Sequence, residues 1–380
     1  MKLLVLAQTP PPVHGQSLMV RTLLDGLPAL GIAVHHVNLR LSRDGADIGR
    51  WRMGKICATF AAAVRAVGAR LRHGCDTLYY VPAPGKRGAL YRDWLVMLLC
   101  RPFFKNLVLH WHAVGLGAWL ATEAVAAERA ITLALLGRAE LALVLAPELS
   151  ADAETLRPRR LAIVPNGAAD PGPPPPRPPR SPGTPAEVLF LGQCSRAKGL
   201  FAALEAVALA HVSNPQALRL TVAGGFAEAD EAREFHAQLA SLPAGLVRYL
   251  GVVDQNEKHA LFRAADVFCF PTVYPHEGQP VTLIEALAHD VRIVTTRWRA
   301  IPGMLPSEHV WLVDADNVPQ LARTLLAAGH APQPAGALRA HYLAHFTVDR
   351  HLARLAGHVV GEASSIPPPQ QTRPRSGDQP

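Results

Sequence analysis

Charge and cysteine are both in short supply in this 380-residue chain: charged residues make up 18%, and there are five cysteines. Those five (Cys57, Cys75, Cys100, Cys194 and Cys269) are odd in number and include no C-x-x-C pair, which excludes a disulfide framework or a zinc ribbon. Reduced thiols in apolar surroundings are expected, and with them a cytoplasmic location. The seventeen histidines are scattered without HExxH spacing, so no metal site is expected. No apolar stretch reaches the roughly 20 residues that span a bilayer; the candidate from Trp94 to Phe104 is broken by Arg101 and Pro102. The opening run from Met1 to Ala7 is too short for a signal peptide. It ends in Thr9-Pro10-Pro11-Pro12 without a small-residue cleavage site, so a buried first strand fits it better.

What is present is an ordinary globular balance, with 49% apolar residues and a length that suggests two or three domains. The formal charge of +8 favours an anionic partner. The chain has no finger, RNP motif or basic helix run, so nucleic acid is not expected and a membrane surface or lipid phosphate is preferred. Short apolar runs at Leu3–Ala7, Ile32–Leu39, Thr77–Val81, Leu107–Trp111, Leu141–Leu145 and Leu161–Val164 read as buried parallel strands. Between the first two, Val20, Leu23, Leu24 and Leu27 recur at helical spacing, giving the β-loop-α-β start of a Rossmann-like domain.

A proline-packed segment, 170–185, interrupts this rhythm; it is an extended linker that closes an N-terminal domain at residues 1–169. The alternation then restarts, with strands at Glu187–Leu191, Leu218–Ala223, Val247–Leu250, Val267–Phe270 and Arg292–Thr295. Helices are expected at Leu200–Ala210, Glu228–Leu239, Glu257–Ala264 and Pro280–Ala288. Residues 186–336 are the second Rossmann-like domain, 337–362 are helical, and the polar, Pro-rich tail at 363–380 is expected to be disordered.

Two glutamates, Glu277 and Glu285, stand eight positions apart around the start of the last of these helices, where Pro280 suits the first helical position. Free N–H groups there would face an anion such as a diphosphate, and the inner carboxylate could accept hydrogen bonds from neighbouring sugar hydroxyls. Glu277-x7-Glu285, with Phe270-Pro271-Thr272 before it and Ile284-Glu285-Ala286-Leu287-Ala288 around its end, resembles the signature of the family 4 (group 1) GT-B glycosyltransferases. Leu189–Gly199 resembles the same family's strand, turn and Lys-Gly. Ile163-Val164-Pro165-Asn166-Gly167 resembles its inter-domain signature, and Pro10–Ser17 its first loop. The second half is matched almost throughout, the first only at its opening loop and near His112.

The resemblance implies an α/β GT-B fold, two Rossmann-like doubly wound domains facing a cleft, with residues 337–362 returning to the first. It implies a retaining, metal-independent transfer of a sugar from a nucleotide-diphosphate sugar to a glycan or lipid-linked acceptor, in cell-surface polysaccharide or glycolipid assembly. No cofactor is expected beyond the donor itself. Lys198 would neutralise the departing phosphate, Glu285 would hold the ribose, and Glu277 would face the donor sugar beside the N–H groups of Gly278 and Gln279. Gly15 would let backbone amides approach phosphate, and His112 would lie near the transferred sugar, with His110 on the same side of its strand as the alternative. Three positions depart from the family pattern. Gln193 stands where an arginine is usual, so either Arg196 supplies the second positive charge or Lys198 works alone; Gln16 replaces a second glycine; and Gly303 replaces a glutamate.

Asp314-Ala315-Asp316 mimics a metal-binding DxD but precedes a helical pattern, which makes it a helix N-cap by expectation. A stretch from Arg87 to Leu99, apolar and flanked by Arg87 and Arg92, is either a membrane-surface helix at the inner face of the membrane or an ordinary covering helix. Two other functions remain: a catalytically silent scaffold that binds nucleotide sugar, and a nucleotide-sugar epimerase of the same architecture. The epimerase reading wants a different set of cleft acids and lacks the Lys-Gly and Glu-x7-Glu pairing.

Overall fold

The computed structural model describes residues 1–39, 53–175, 181 and 183–361. The expected disordered tail and part of the proline linker lie outside the described residues. The chain divides into two compact units. Of the described residues, one comprises Met1–Gly167, Pro275–Gln279 and Val348–Gly361; the other comprises Ala168–Tyr274 and Pro280–Thr347.

The first unit is a six-stranded parallel sheet in the order β2-β1-β3-β4-β5-β6. Its strands are β1 (Lys2–Ala7), β2 (Ala33–Asn38), β3 (Thr77–Tyr80), β4 (Asn106–His110), β5 (Leu141–Val144) and β6 (Leu161–Ile163). Every residue of β3 and β5 is buried, as expected of strands covered on both faces. One face of the sheet is covered by α1 (Gly15–Gly26) and the returning α14 (Val348–Val360). The other is covered by α2 (Met53–His73), α3 (Arg87–Cys100), α4 (Leu116–Thr122), α5 (Ala126–Leu136) and the short α6 (Ala151–Thr155).

Of the two readings of the Arg87–Leu99 stretch, its contacts match those of a covering helix. Leu90, Val96 and Met97 of α3 are buried, and Tyr80 donates to the buried Asp93 at 2.6 Å. The two flanking arginines are already engaged, Arg87 with Glu128 at 2.9 Å and Arg92 with Asp93 at 2.6 Å.

The second unit is again six parallel strands, in the order β12-β11-β10-β7-β8-β9. They are β7 (Ala186–Leu191), β8 (Leu218–Ala223), β9 (Val247–Tyr249), β10 (Val267–Phe270), β11 (Arg292–Thr296) and β12 (Val310–Val313). The helices are α7 (Leu200–Ser213), α8 (Ala229–Ser241), α9 (Gln255–Ala264), α10 (Val281–Ala288), α11 (Ile301–Met304), α12 (Val318–His330) and α13 (Ala337–His345). α13 belongs to this unit, its Tyr342 donating to Ala168 O at 3.0 Å, so the chain passes to the first unit at Val348. The cap of α12 is Asn317, whose side chain accepts from Gln320 N; Asp314 instead lies 3.8 Å from Arg297. That corrects the N-cap expected of Asp314-Ala315-Asp316. Asn317 directly precedes the first helical residue, the position from which a short side chain reaches the third N–H. Pro280, similarly, precedes α10 in an extended conformation rather than forming its first residue.

Each sheet reverses its strand order once, between β1 and β3 and between β7 and β10. Loops at the carboxyl ends of such strands are where open α/β sheets bind ligands. In the second unit those strand ends are packed backbone against backbone. Gly224 has φ +145, and a Cβ there would sit 1.8 Å from Gly192 O. Gly224→Ala should therefore cost about 2–3 kcal/mol in strain and overpacking, lowering Tm by roughly 5–10 °C. Gly68→Ala, in open space on α2, should leave Tm unchanged or raised. Differential scanning calorimetry of both variants checks this; an unchanged Tm for Gly224→Ala would contradict the packing described.

Candidate active site

The loops after β7 and β10 meet at the switch point of the second unit. The first runs through Gly192 and Cys194 into a turn at Arg196–Gly199, and this turn is stitched to the second. Val273 N donates to Ala197 O at 2.8 Å, and Thr272 Oγ1 donates to the same carbonyl at 3.3 Å. Gly199 has φ +86, and a Cβ on it would meet Pro271 O at 2.3 Å, so glycine is required after Lys198 by space as well as by backbone conformation. Trp298 anchors the far end of the second loop by donating to Tyr274 O at 2.8 Å.

On this platform the half-buried Lys198 places its Nζ 4.5 Å from the centroid of the Tyr274 ring and 5.8 Å from that of Phe270. Cation–π attraction holds the ammonium over these rings. Arg196 is turned elsewhere: its guanidinium pairs with Glu234 and stacks on Phe201 at 4.4 Å. Gln193 is exposed.

Glu285 sits on α10 with only 15% of its side chain exposed and pairs with Lys258 of α9, itself 15% exposed. Lys258 was not singled out in the sequence. Behind the pair runs a chain of histidines: His259 Nδ1 lies 3.0 Å from His289 Nε2, and His289 Nδ1 lies 2.8 Å from Glu285 O. Burial pushes His289 down to about 4, so it is neutral and donates to that carbonyl while accepting from His259.

Glu277, Gly278 and Gln279 belong to the first unit, though they are joined in sequence to the second. The anchors of this segment are numerous. His276 Nδ1 lies 2.7 Å from Val114 O, Asn166 N donates to Gln279 Oε1 at 2.6 Å, and Asn166 Nδ2 donates to Gln279 O at 3.0 Å. A Cβ on Gly278 would meet His112 O at 2.4 Å, so glycine is needed to bring the two chains together. Glu277 is 6% exposed. The facing loop is fixed in turn by the buried Asp152, which accepts from Gly115 N and Gly117 N at 2.7 Å each.

His112 follows β4, and both its ring nitrogens are buried without a hydrogen-bond partner. Burial, then the neighbouring His351 and His14, pushes it down to about 3, so it is a neutral imidazole with two unused hydrogen-bonding positions. His110 is satisfied on one side, its Nδ1 lying 2.6 Å from the Tyr79 hydroxyl. Gly15 is the first residue of α1, exposed, behind the N-cap His14 whose Nδ1 accepts from Ser17 N. Among the described residues, no three His, Cys, Asp or Glu side chains form a metal-holding group.

Residues 185–329 match the family model of the glycosyl transferases group 1. Among solved structures, sucrose-phosphate synthase from Thermosynechococcus elongatus superposes with a TM-score of 0.72 at 20% identity, covering 95% of this chain and 98% of that one. The HepE protein of Anabaena, solved with UDP and glucose, gives 0.67 at 16% identity over 95% and 99% of the two chains. A lipopolysaccharide outer core galactosyltransferase, WaaB, gives 0.64 at 12% identity over 95% and 99%. No curated protein sequence matches significantly. The fold is GT-B, and the second unit is a group 1 glycosyl transferase domain.

Glu285→Ala should weaken binding of the nucleoside diphosphate by about 1.5–3 kcal/mol, the worth of hydrogen bonds to a charged group, or roughly 10- to 150-fold. Calorimetric titration measures it; an unchanged dissociation constant would remove Glu285 from the donor site.

Proposed function

We propose that the protein is a retaining glycosyltransferase that moves a sugar from a nucleotide-diphosphate donor to a glycan or lipid-linked acceptor, without a metal ion. The observation that carries this reading is the Lys198 ammonium held over Tyr274 on a glycine turn at the strand-order reversal of the matched domain. When the bond between the anomeric carbon and the diphosphate oxygen breaks, negative charge gathers on that oxygen. A fixed cation in a partly dry site stabilises it most at that moment. Lys198 fills this role alone, since Arg196 is committed to Glu234.

Glu285 accepts from the ribose hydroxyls, and the first N–H groups of α10 face the diphosphate. Glu277, with the backbone N–H groups of Gly278 and Gln279, faces the donor sugar. The neutral His112 offers its free nitrogens to sugar hydroxyls rather than a proton near neutral pH. Gly15 leaves the start of α1 open to phosphate. The acceptor hydroxyl attacks the face that the leaving group vacates, and its proton passes to the departing phosphate oxygen. HepE was solved with UDP-glucose as well as UDP, which makes uridine sugars the first donors to test. The five free cysteines, four of them buried, suit the cytoplasm as the place of action. Surface polysaccharide or glycolipid assembly is the process this activity serves.

A panel of nucleotide sugars tests the reading, with nucleoside diphosphate release and product configuration followed by NMR. One donor should yield its diphosphate with the anomeric configuration retained and with full activity in excess EDTA. Lys198→Ala should lower kcat at least tenfold with donor affinity little changed, while Arg196→Ala should leave kcat near wild type. An isomerised donor, an inverted product, or loss with EDTA restored by magnesium would overturn it.

A further inference from the structure

α9 and α10 meet through neighbouring residues of α9, and these contacts fall on the carboxyl-terminal turn of α10 and its cap. Lys258 pairs with the Glu285 carboxylate. His259, the next residue, lies 3.0 Å from His289, the C-cap of α10. Phe262, one turn beyond Lys258, stacks on the same imidazole with ring centroids 4.8 Å apart. His289 is 4% exposed and Phe262 is fully buried, so close packing fixes the register of α9 on α10 and brings Lys258 to Glu285.

Helix stability asks for neither charge. Lys258 is the fourth residue of α9 (Gln255–Ala264), in the first turn, where the macrodipole favours acids such as Glu257. Glu285 opens the last turn of α10 (Val281–Ala288), where the dipole favours a cation. Each side chain is only 15% exposed, so each has also lost hydration. For stability alone, a well-packed apolar pair commonly serves such a place as well or better. Among the described residues, Glu285 pairs with no other cation and Lys258 with no other acid.

A pair held against both dipoles and against hydration points to use. The ammonium donates to Oε1 of Glu285. An ionised carboxylate has about four lone-pair positions, so Oε2 stays available to a vicinal pair of hydroxyls. Its direction is set by the hold on Oε1.

We propose that Lys258 is a positioning residue for the donor: it fixes the Glu285 carboxylate so that the second oxygen meets the ribose hydroxyls, and it thereby sets the preference for a ribonucleotide over its 2′-deoxy counterpart. This rests on the place of Glu285 in the proposed donor site and adds the residue that orients it.

Calorimetric titration of the full chain with UDP, GDP and ADP, each beside its 2′-deoxy form, tests the proposal. Wild type should bind one of these ribonucleotides at least about tenfold more tightly than its 2′-deoxy form, the factor that a hydrogen bond to a charged group supplies. Lys258→Met removes the charge and keeps an unbranched chain. It should weaken the ribonucleotide by about tenfold and the 2′-deoxy form by no more than about twofold, so that the preference nearly disappears. Lys258→Arg should restore part of the preference, since a guanidinium can hold the same oxygen. In a Glu285→Ala background, Lys258→Met should change neither constant.

A lysine that only supported the fold would weaken both nucleotides alike. Equal losses, an undiminished preference in Lys258→Met, or a Lys258→Arg variant no better than Lys258→Met would overturn the proposal. If Glu285→Ala keeps the full preference, or none of the three diphosphates binds, the donor reading of Glu285 fails and the proposal with it. If Glu285→Ala loses the preference while Lys258→Met keeps it, the orienting role alone fails.

Discussion

The buried pairing of Asn166 with Gln279 is the interaction on which the candidate site depends. Asn166 uses both its backbone N–H and its side-chain amide on Gln279, and the two residues are 4% and 5% exposed. Neither can be removed cheaply, because a buried polar group left without its partner costs about 1–3 kcal/mol. This pairing, with His276 on Val114 and the glycine contact of Gly278 with His112, fixes the five residues Pro275–Gln279 in the first unit. Glu277 therefore takes its position from the first unit. Glu285, eight residues on, takes its position from α10 and Lys258 in the second.

On the proposed function, that arrangement divides the labour between the units. The groups suited to a nucleoside diphosphate are Lys198, Glu285 and the start of α10, all held within the second unit by loops whose glycines admit no side chain. The groups suited to a sugar are Glu277 and the neutral His112, both held within the first. The Lys198 ammonium is positioned over aromatic rings by cation–π attraction. An imidazole with both nitrogens buried and unused is ready to exchange nothing for a hydroxyl's hydrogen bonds.

Much of the fold was legible because buried parallel strands leave short, solid apolar runs. Leu218–Ala223 and Val267–Phe270 coincide with β8 and β10 to the residue. β12 escaped because its first three residues are only half buried and Trp311 breaks no pattern. α2 escaped because its apolar residues lie on both faces, so the sequence shows no single stripe. In the candidate site, glycine and lysine positions could be read from spacing, since turns and close approaches constrain residue type locally. Pairings such as Lys258 with Glu285, or Asn166 with Gln279, join residues 27 and 113 positions apart and leave no local mark. The same holds for Arg196, whose engagement with Glu234 depends on α8 being brought against the turn.

The most direct measurement separates binding from turnover in two variants of the buried pairing, Asn166→Ala and Gln279→Leu. Each is titrated with the nucleoside diphosphate that the active donor releases and then assayed for kcat. If Pro275–Gln279 takes its position from the first unit, nucleotide affinity should stay within about twofold of wild type while kcat falls by about tenfold or more. A parallel fall in nucleotide affinity, or an undiminished kcat, would contradict it.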